Sequence, residues 1–285
     1  MENRILVTGA TGTIGKALVS SLKAQDIPFI AGVRNTEQAA ATLGLPAASL
    51  VHFDWQKPET FATATENVDR VFLLGPPLTP GVDKIITPFV DFLKNSGITR
   101  VVYLSALAAE KMGGQLSFHA VMEEKFAQEG FDYTILKPSF FAQNFKNYEW
   151  DNIMQRGITY VVAGNGRAGF IDVQDIADVA AAVLTTPGHS QKVYELTGPE
   201  LLSYNDAAKL LSEITGKTIV YPAPSAEEFA STLKAAGAPD FVASYMTGVY
   251  SVIANGYVNH LTDNVAQIIG RQPNSLAAVL RHDFA

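Results

Sequence analysis

Three glycines near the start of the chain are the residues whose chemistry is most readily inferred. Gly9, Gly12 and Gly15 follow an apolar run at residues 5–8 and precede apolar residues at helical spacing, which predicts a strand, a tight turn and a helix. Gly9 would let the chain reverse, Gly12 would let the backbone approach a pyrophosphate, and Gly15 would let the helix pack on the strand. The free N–H groups at the helix N-terminus would then bind phosphate oxygens. The predicted dinucleotide-binding residues here are Gly9, Thr11, Gly12, Thr13, Ile14 and Gly15, and a turn that needs glycine only for its shape is the alternative.

Arg34 stands at the end of the second predicted strand, residues 29–34. An acidic residue there would bind the adenosine ribose diol, whereas an arginine can pair with a 2′-phosphate and stack on adenine. The sequence therefore favours NADPH as cofactor, with NADH still possible. A solvated surface arginine is the alternative.

The ends of the third and fourth predicted strands, residues 49–54 and 70–74, supply further cofactor candidates. A carboxylate at Asp54 could accept the adenine amino group, or it could cap the turn before Pro58. Gly75 would let the backbone pass the cofactor, or it could belong to an ordinary turn. The predicted cofactor-binding residues in these two segments are Asp54, Trp55, Leu74, Gly75 and Pro76.

Three residues are candidates for catalysis. Ser105 ends the fifth predicted strand, where short-chain dehydrogenases carry a catalytic serine, but no Tyr-x-x-x-Lys motif follows it. The predicted helix at 116–129 instead carries His119 and Glu123, which share a helix face at a spacing of four. We expect the carboxylate to raise the pKa of His119 and fix its tautomer, so that His119 could donate a proton. An ordinary Glu–His pair on a helix is the alternative.

Strands alternate with helices up to about residue 138, which predicts an α/β fold with a doubly wound parallel sheet. The rhythm then breaks, and the remaining residues predict a smaller α/β C-terminal substrate lobe. We predict a Rossmann domain at residues 1–138 and the lobe at 139–285. Residues 172–196, a helix followed by a strand, would return to the first domain.

The composition limits the partners. A net charge of −7 over 285 residues argues against nucleic acid or an anionic membrane surface as partner, and no apolar run is long enough to span a membrane. Cysteine is absent and the five histidines are scattered, so no metal site is expected. We expect a cytoplasmic protein without a secretory signal.

At this point the chain resembles the NmrA-like branch of atypical short-chain dehydrogenases, which includes bacterial NADPH-dependent quinone oxidoreductases and triphenylmethane dye reductase. The segments that carry the resemblance are Thr-Gly-Ala-Thr-Gly-Thr-Ile-Gly at 8–15, Val-Arg-Asn at 33–35, Phe-Asp-Trp at 53–55, His119 with Glu123, Leu-Lys-Pro-Ser-Phe-Phe-Ala-Gln-Asn at 136–144, Lys-Val-Tyr-Glu-Leu at 192–196 and Ile-Ile-Gly-Arg at 268–271.

The resemblance implies a Rossmann domain that binds NADPH and passes hydride to a flat conjugated acceptor such as a quinone. It also implies that the segment after the sixth strand lies beside the nicotinamide and the acceptor, although packing between the lobes is an alternative for its phenylalanines. The implied cofactor-binding residues are Lys137, Pro138, Ser139 and Phe140, and the implied substrate-binding residues are Phe141, Asn144 and Tyr148. Lys137 departs from the arginine that quinone reductases of this family often carry.

Two functions remain open on the sequence. The chain is expected to be an oxidoreductase that reduces a small aromatic or quinone-like acceptor with NADPH. It could instead be a redox sensor that binds the dinucleotide and a regulatory protein partner without turnover. A sugar-nucleotide epimerase fits poorly, because such an enzyme needs the tyrosine base that this chain lacks.

Overall fold

A computed structural model describes residues 4–112 and 117–285 of the chain. Residue 116, where the sequence predicts the start of a helix, lies outside the described residues. The chain divides into two compact units. The first unit comprises Met1–Ser105, Phe118–Lys137 and Ile176–Tyr194, and the second comprises Ala106–Ser117, Pro138–Asp175 and Glu195–Ala285. The domain boundaries predicted from the sequence stay a prediction.

A seven-stranded sheet forms the centre of the first unit, and helices flank it. In chain order its strands are β1 (Arg4–Val7), β2 (Phe29–Val33), β3 (Leu50–His52), β4 (Val68–Leu73), β5 (Arg100–Leu104), β6 (Asp132–Pro138) and β8 (Lys192–Leu196). The spatial order is β3-β2-β1-β4-β5-β6-β8, and every pair from β3 to β6 is parallel. The strand order reverses between β1 and β4, and in open α/β sheets ligands bind at the carboxyl ends of the strands at such a point.

Helices connect these strands. They are α1 (Thr13–Ala24), α2 (Thr36–Leu43), α3 (Phe61–Ala64), α4 (Val82–Asn95), α5 (Ser117–Gln128) and α7 (Val173–Thr185). The Asn35 side chain caps α2 by accepting from the Gln38 N–H, as expected of an asparagine before a helix. Gly97 and Gly130, just after α4 and α5, have positive φ angles of 76° and 72°, which glycine adopts without strain. Capping residues in the sequence therefore mark the start of α2 and the ends of α4 and α5.

Apolar residues of the strands β1 to β6 and of the helices α3, α4 and α5 meet in a hydrophobic cluster of the first unit. Helix α4 contributes residues at helical spacing, Ile86, Phe89, Val90 and Leu93 among them, all fully buried. The strands contribute alternate residues, because successive side chains of a strand point to opposite faces. Members from the strands and from α5 include Leu6, Val71, Leu73, Tyr103, Ile135, Met122 and Phe126. This cluster fixes the side of β5 on which α5 lies.

The second unit has an aromatic core. It holds two short strands, β7 (Arg167–Ala168) and β9 (Leu202–Ser203), and the helices α6 (Asn144–Arg156), α8 (Tyr204–Thr215), α9 (Ala226–Ala235), α10 (Asp240–Ala254), α11 (Asn264–Ile269) and α12 (Leu276–Phe284). The rings of Phe145 and Phe170 lie 5.4 Å apart, and both contact Tyr204. Capping boxes begin α8 at Ser203 and α9 at Ser225, as their sequences predict.

Strand positions predicted from the sequence agree closely with the structure. The first four strands begin and end within two residues of the predicted positions. Between the third and fourth strands the chain forms a 3₁₀ turn at Pro58–Thr60 and then the four-residue α3. In the described part of the chain, no helix is both long enough and apolar enough to cross a membrane.

Candidate functional site

The glycine turn connects the end of β1 to the start of α1. Gly9 has a positive φ of 63°, a conformation that L side chains rarely adopt. A Cβ at Gly15 would lie 2.6 Å from Ala10 Cα and closer still to the Gly9 carbonyl oxygen, so α1 packs on the turn at this position because the side chain is absent. At Gly12 a Cβ would meet only the Gly9 carbonyl oxygen, at 3.3 Å. Gly12 is exposed, and its outer face is open to a ligand.

Helix α1 begins without a side-chain cap. Gly12 occupies the N-cap position, has no side-chain oxygen and donates its own N–H to the Gly9 carbonyl at 2.9 Å. Within residues 4–112 and 117–285, the N–H groups of Thr13, Ile14 and Gly15 have no acceptor. Three adjacent free donors and the positive end of the helix dipole suit a phosphate group.

Thr8 links the two strand ends at the point where the strand order reverses. Its hydroxyl donates to the Phe72 carbonyl at 3.1 Å and accepts from the Leu74 N–H at 2.9 Å. The Leu74 side chain lies beside Gly9. Gly75 is close-packed, because a Cβ there would lie 2.6 Å from Ile86 Cδ1 of α4, and Pro76 is partly exposed after it. The structure therefore gives Gly75 a packing role, and a role for Leu74, Gly75 and Pro76 in cofactor binding stays a prediction.

Arg34 follows β2 and is exposed. Its guanidinium has no partner within the described residues, whereas its carbonyl oxygen lies 3.0 Å from Nδ1 of His52 at the end of β3. Because a carbonyl only accepts, that nitrogen of His52 carries a hydrogen. The contact joins the ends of the adjacent strands β2 and β3, and the sequence analysis did not single out His52.

Asp54 and Trp55 have local partners. The Asp54 carboxylate accepts from the Gln56 N–H at 3.0 Å, which is the turn-capping alternative left open above. The Trp55 ring packs edge-on against Phe53 and Phe89, with centroid separations of 4.8 and 5.6 Å. Adenine recognition by Asp54 or Trp55 stays a prediction.

Ser105, Glu123 and Lys137 form a polar group at the carboxyl ends of β5 and β6. The Ser105 hydroxyl donates to Glu123 Oε1 at 2.5 Å, and Lys137 Nζ lies 2.7 Å from Glu123 Oε2. Lys137 and Glu123 are mostly buried, with side chains 18% and 19% exposed. The Glu123 carboxylate therefore holds the serine hydroxyl and the lysine ammonium together. The spacing of four residues between His119 and Glu123 did not indicate this arrangement.

Tyr103 of β5 and His119 of α5 form a second contact between this strand and this helix. Tyr103 Oη lies 2.7 Å from His119 Nδ1. Tyr103 and Ser105 are two residues apart in and after a strand, a distance of about 6.6 Å along one face. His119 and Glu123 are one helical turn apart, a rise of about 6 Å. Because the two spacings nearly match, α5 meets β5 through both pairs at once, and this match is the signal that could have revealed Tyr103 in the sequence.

The charge state of His119 differs from the expectation. Burial, together with the nearby positive charge of Lys137, lowers the pKa of His119 to about 3. The predicted rise in pKa is wrong, because the Glu123 carboxylate bonds Ser105 and Lys137 rather than the imidazole. Burial and the negative charge of Glu123 raise the pKa of the Tyr103 hydroxyl well above its usual value. At neutral pH both members of this pair are therefore uncharged.

The remaining candidates belong to the second unit. Pro138, Ser139 and Phe140 are buried, and Phe140 packs against Tyr250 with ring centroids 5.6 Å apart. The Ser139 hydroxyl oxygen is buried and has no partner within the described residues. Phe141 forms a bridge with Ile171 and is partly exposed.

Asn144 is the first residue of α6, and Tyr148 on the same helix is 60% exposed. Binding of cofactor or acceptor by these residues stays a prediction. Among the residues described, no group of three or more His, Cys, Asp or Glu side chains could hold a metal ion.

Comparison with known proteins agrees with the architecture of the glycine turn. Residues 9–187 match the model of a family described as NAD(P)H-binding. The chain belongs to this NAD(P)H-binding family. An NAD(P)H azoreductase from Xenophilus azovorans is 30% identical over 278 residues, which cover 96% of this chain and 95% of the relative.

Two solved structures are also similar. The NADPH-dependent quinone oxidoreductase of Escherichia coli, in complex with NADPH, has a TM-score of 0.88 at 26% identity, covering 99% of this chain and 100% of that chain. The triphenylmethane reductase of Citrobacter sp., in complex with NADP(H), has a TM-score of 0.86 at 25% identity, covering 98% and 99%. The predicted Rossmann fold, the predicted cofactor class and the resemblance to these two reductases are confirmed.

The described residues fit the cofactor. The open face of Gly12 and the three free N–H groups of α1 suit its pyrophosphate. The glycine turn and these N–H groups lie where β1 and β4 end, at the reversal of strand order. Arg34 at the end of β2 carries an exposed guanidinium without a partner among the residues described. Such a group suits the phosphate of the adenosine ribose.

Proposed function

We propose that this NAD(P)H-dependent oxidoreductase passes hydride from NADPH to a quinone, an azo compound or a similar flat conjugated acceptor. The observation that carries the proposal is the polar group of Ser105, Glu123 and Lys137 beside Tyr103 and His119. It lies at the carboxyl ends of β5 and β6, the same edge of the sheet on which the glycine turn lies. The names of the similar azo-, quinone- and triphenylmethane reductases support this acceptor class.

Two-electron reduction of a quinone or an azo compound requires one hydride and one proton, whereas a cationic triphenylmethane dye takes up the hydride alone. NADPH, when bound, would supply the hydride, and a quinone or azo acceptor would gain negative charge on an oxygen or nitrogen that a proton then neutralises. The Lys137 ammonium donates one hydrogen to Glu123 and keeps two for other partners. A cation in a partly buried place stabilises developing negative charge more strongly than it would in water. Lys137 would therefore stabilise the reduced acceptor before protonation.

His119 would act by hydrogen bonding rather than as an acid. With its pKa lowered to about 3, the imidazole carries no extra proton at neutral pH. A neutral imidazole still offers one N–H, which can polarise an acceptor oxygen or nitrogen. The proton itself would come from solvent, so the reaction does not require the tyrosine and lysine pair of short-chain dehydrogenases.

Arg34 would select the phosphorylated cofactor. Its exposed guanidinium has no competing carboxylate in the described part of the chain. A guanidinium can donate two parallel hydrogen bonds to one phosphate. We therefore expect NADPH to be preferred to NADH.

A turnover assay tests the proposal. Purified protein is mixed with NADPH and, in turn, a benzoquinone, an azo dye and a triphenylmethane dye, and the near-ultraviolet absorbance of NADPH is followed. Lys137→Met serves as the variant that removes the ammonium, and Lys146→Met on α6 of the second unit is the matched control. Steady NADPH consumption with at least one acceptor, slowed in Lys137→Met and not in Lys146→Met, is the expected result. Tight binding of NADPH without turnover of any acceptor would contradict the proposal and favour the redox sensor.

A further inference from the structure

We propose that Tyr103 is a positioning residue that donates its hydroxyl hydrogen to Nδ1 of His119 and so holds the imidazole in the tautomer with hydrogen on Nε2. The inference rests on the proposed function, since it states which nitrogen of His119 offers a hydrogen bond to the acceptor. The roles given above to the glycine turn and to the polar group of Ser105, Glu123 and Lys137 do not depend on the tautomer of His119.

Each member of the Tyr103–His119 pair packs against a neighbouring aromatic ring. Tyr103 is 1% exposed, and its ring packs against Phe126 of α5 with centroids 5.4 Å apart. The Phe118 ring lies 4.1 Å from the ring of His119. Tyr103 Oη and His119 Nδ1 meet at 2.7 Å, well inside the range of a hydrogen bond between hydroxyl and nitrogen.

The direction of this hydrogen bond follows from the other hydrogen-bond partners that each group has. The Tyr103 hydroxyl has no other partner within residues 4–112 and 117–285. If His119 donated from Nδ1, the phenolic hydrogen would be buried without an acceptor, which is costly. If Tyr103 donates, its hydrogen and the Nδ1 lone pair are both satisfied, and the imidazole hydrogen resides on Nε2.

The protonation states agree with that direction. Burial and the Glu123 charge raise the pKa of Tyr103, so the phenol keeps its hydrogen. Burial and the Lys137 charge lower the pKa of His119, so Nδ1 is free to accept. Among described residues, the titratable groups shown to act on the imidazole are Tyr103 on β5, which contacts it, and Lys137 on β6, whose charge lowers its pKa. Glu123 is occupied by Ser105 and Lys137 and does not compete for the imidazole hydrogen.

The consequence concerns how the acceptor is activated. A histidine free to exchange tautomers presents an N–H from Nε2 for only part of the time. One that is held by Tyr103 presents it continuously, at no cost in reorganisation when hydride is transferred. Tyr103 would thus contribute through His119 without contacting the acceptor.

Nitrogen NMR on protein labelled at its histidines tests the inference directly. The two ring nitrogens resonate far apart when only one carries hydrogen, and a His119→Gln spectrum identifies which of the five histidines is His119. In the wild-type protein at neutral pH we expect an unprotonated Nδ1 and a protonated Nε2. In Tyr103→Phe we expect a mixture of tautomers and a kcat lower by about tenfold, with the Kd for NADPH unchanged.

Tyr133→Phe is the matched control. Tyr133 lies on β6 and packs against the same hydrophobic cluster, and it makes no contact with His119, so its spectrum and its rate should equal those of the wild type. A wild-type imidazole with hydrogen on Nδ1, or on both nitrogens, would overturn the inference even if Tyr103→Phe did not fold. An unchanged tautomer in a folded Tyr103→Phe would overturn it equally. Absence of turnover with every acceptor would instead contradict the proposed function, and the NMR measurement would still decide the tautomer.

Discussion

Alanine at Gly12 should mainly weaken cofactor binding, whereas alanine at Gly15 should mainly destabilise the fold. Gly12 has φ −78° and ψ 175°, which alanine adopts without strain. Its added methyl group would need only a small shift away from the Gly9 carbonyl oxygen, 3.3 Å away. The methyl group would, however, lie on the exposed face of the turn, beside the free N–H groups of α1. Gly12→Ala should therefore weaken cofactor binding and leave the fold intact.

The magnitudes follow from the contacts. Loss of one hydrogen bond between an N–H group and a charged pyrophosphate costs about 1.5–3 kcal/mol, so the Kd for NADPH should rise about 10- to 150-fold. The free energy of unfolding should change by less than about 1 kcal/mol in Gly12→Ala. At Gly15 the added Cβ meets backbone atoms, 2.6 Å from Ala10 Cα, and α1 must move. Such overpacking costs about 1–3 kcal/mol or more.

Two measurements on each variant separate the effects. Urea unfolding gives the free energy of unfolding, and isothermal titration calorimetry gives the Kd for NADPH. Each variant is the control for the other, because both add one methyl group to the same turn. Wild-type affinity in Gly12→Ala would refute the assignment of the turn to the pyrophosphate, and wild-type stability in Gly15→Ala would refute the close-packing argument.

Three further changes are predicted. Arg34→Asp should raise the Kd for NADPH about 10- to 100-fold more than the Kd for NADH, because it removes a charge-assisted contact; calorimetry that gives equal losses for both cofactors would exclude phosphate recognition by Arg34. Glu149 of α6 is 5% exposed, and burial raises its pKa from 4.5 to about 7. The folded state therefore binds more protons than the unfolded chain within that window, and wild-type stability falls as the pH rises through it. Glu149→Gln should gain up to about 3 kcal/mol relative to wild type over the same rise, and urea unfolding at several pH values that gives a constant difference would contradict a buried neutral carboxyl. Glu123→Gln can still accept from Ser105 but removes the negative partner of Lys137; steady-state kinetics should give acceptor reduction about tenfold slower at an unchanged Kd for NADPH, and an unchanged rate would remove this pair from the mechanism.

Local sequence patterns were sufficient to predict most of the fold. The first six strands are short apolar runs rich in β-branched residues, and a parallel sheet buried on both faces favours such runs. Ser203 and Ser225 mark helix starts by a capping box that involves only four consecutive residues. The 3₁₀ turn at Pro58–Thr60 depends on the Thr60 hydroxyl, which accepts from the Asp54 N–H and donates to the Lys57 carbonyl, as well as on helical propensity.

The candidate site was predicted only in part. Residue types and spacing were enough to single out Ser105, His119 and Glu123. Residue types and spacing could not give the hydrogen-bond partners of these side chains. One helix face brings His119 and Glu123 near each other and also near the strand, so either set of contacts fits the spacing. Lys137 comes from a different strand and takes the Glu123 carboxylate, which changes the charge environment of His119. Contacts between elements that are distant in sequence therefore decided the protonation state.

The near-equal spacing of Tyr103 and Ser105 along β5 and of His119 and Glu123 along α5 has a consequence for how this site can vary. Both contacts depend on a single rotational setting of α5, and inserting one residue before His119 would turn both side chains by about 100°. The two pairs would then be lost together rather than one at a time. Changes that adapt the protein to a different acceptor are thus expected elsewhere in the chain, while this helix and strand keep their relative phase.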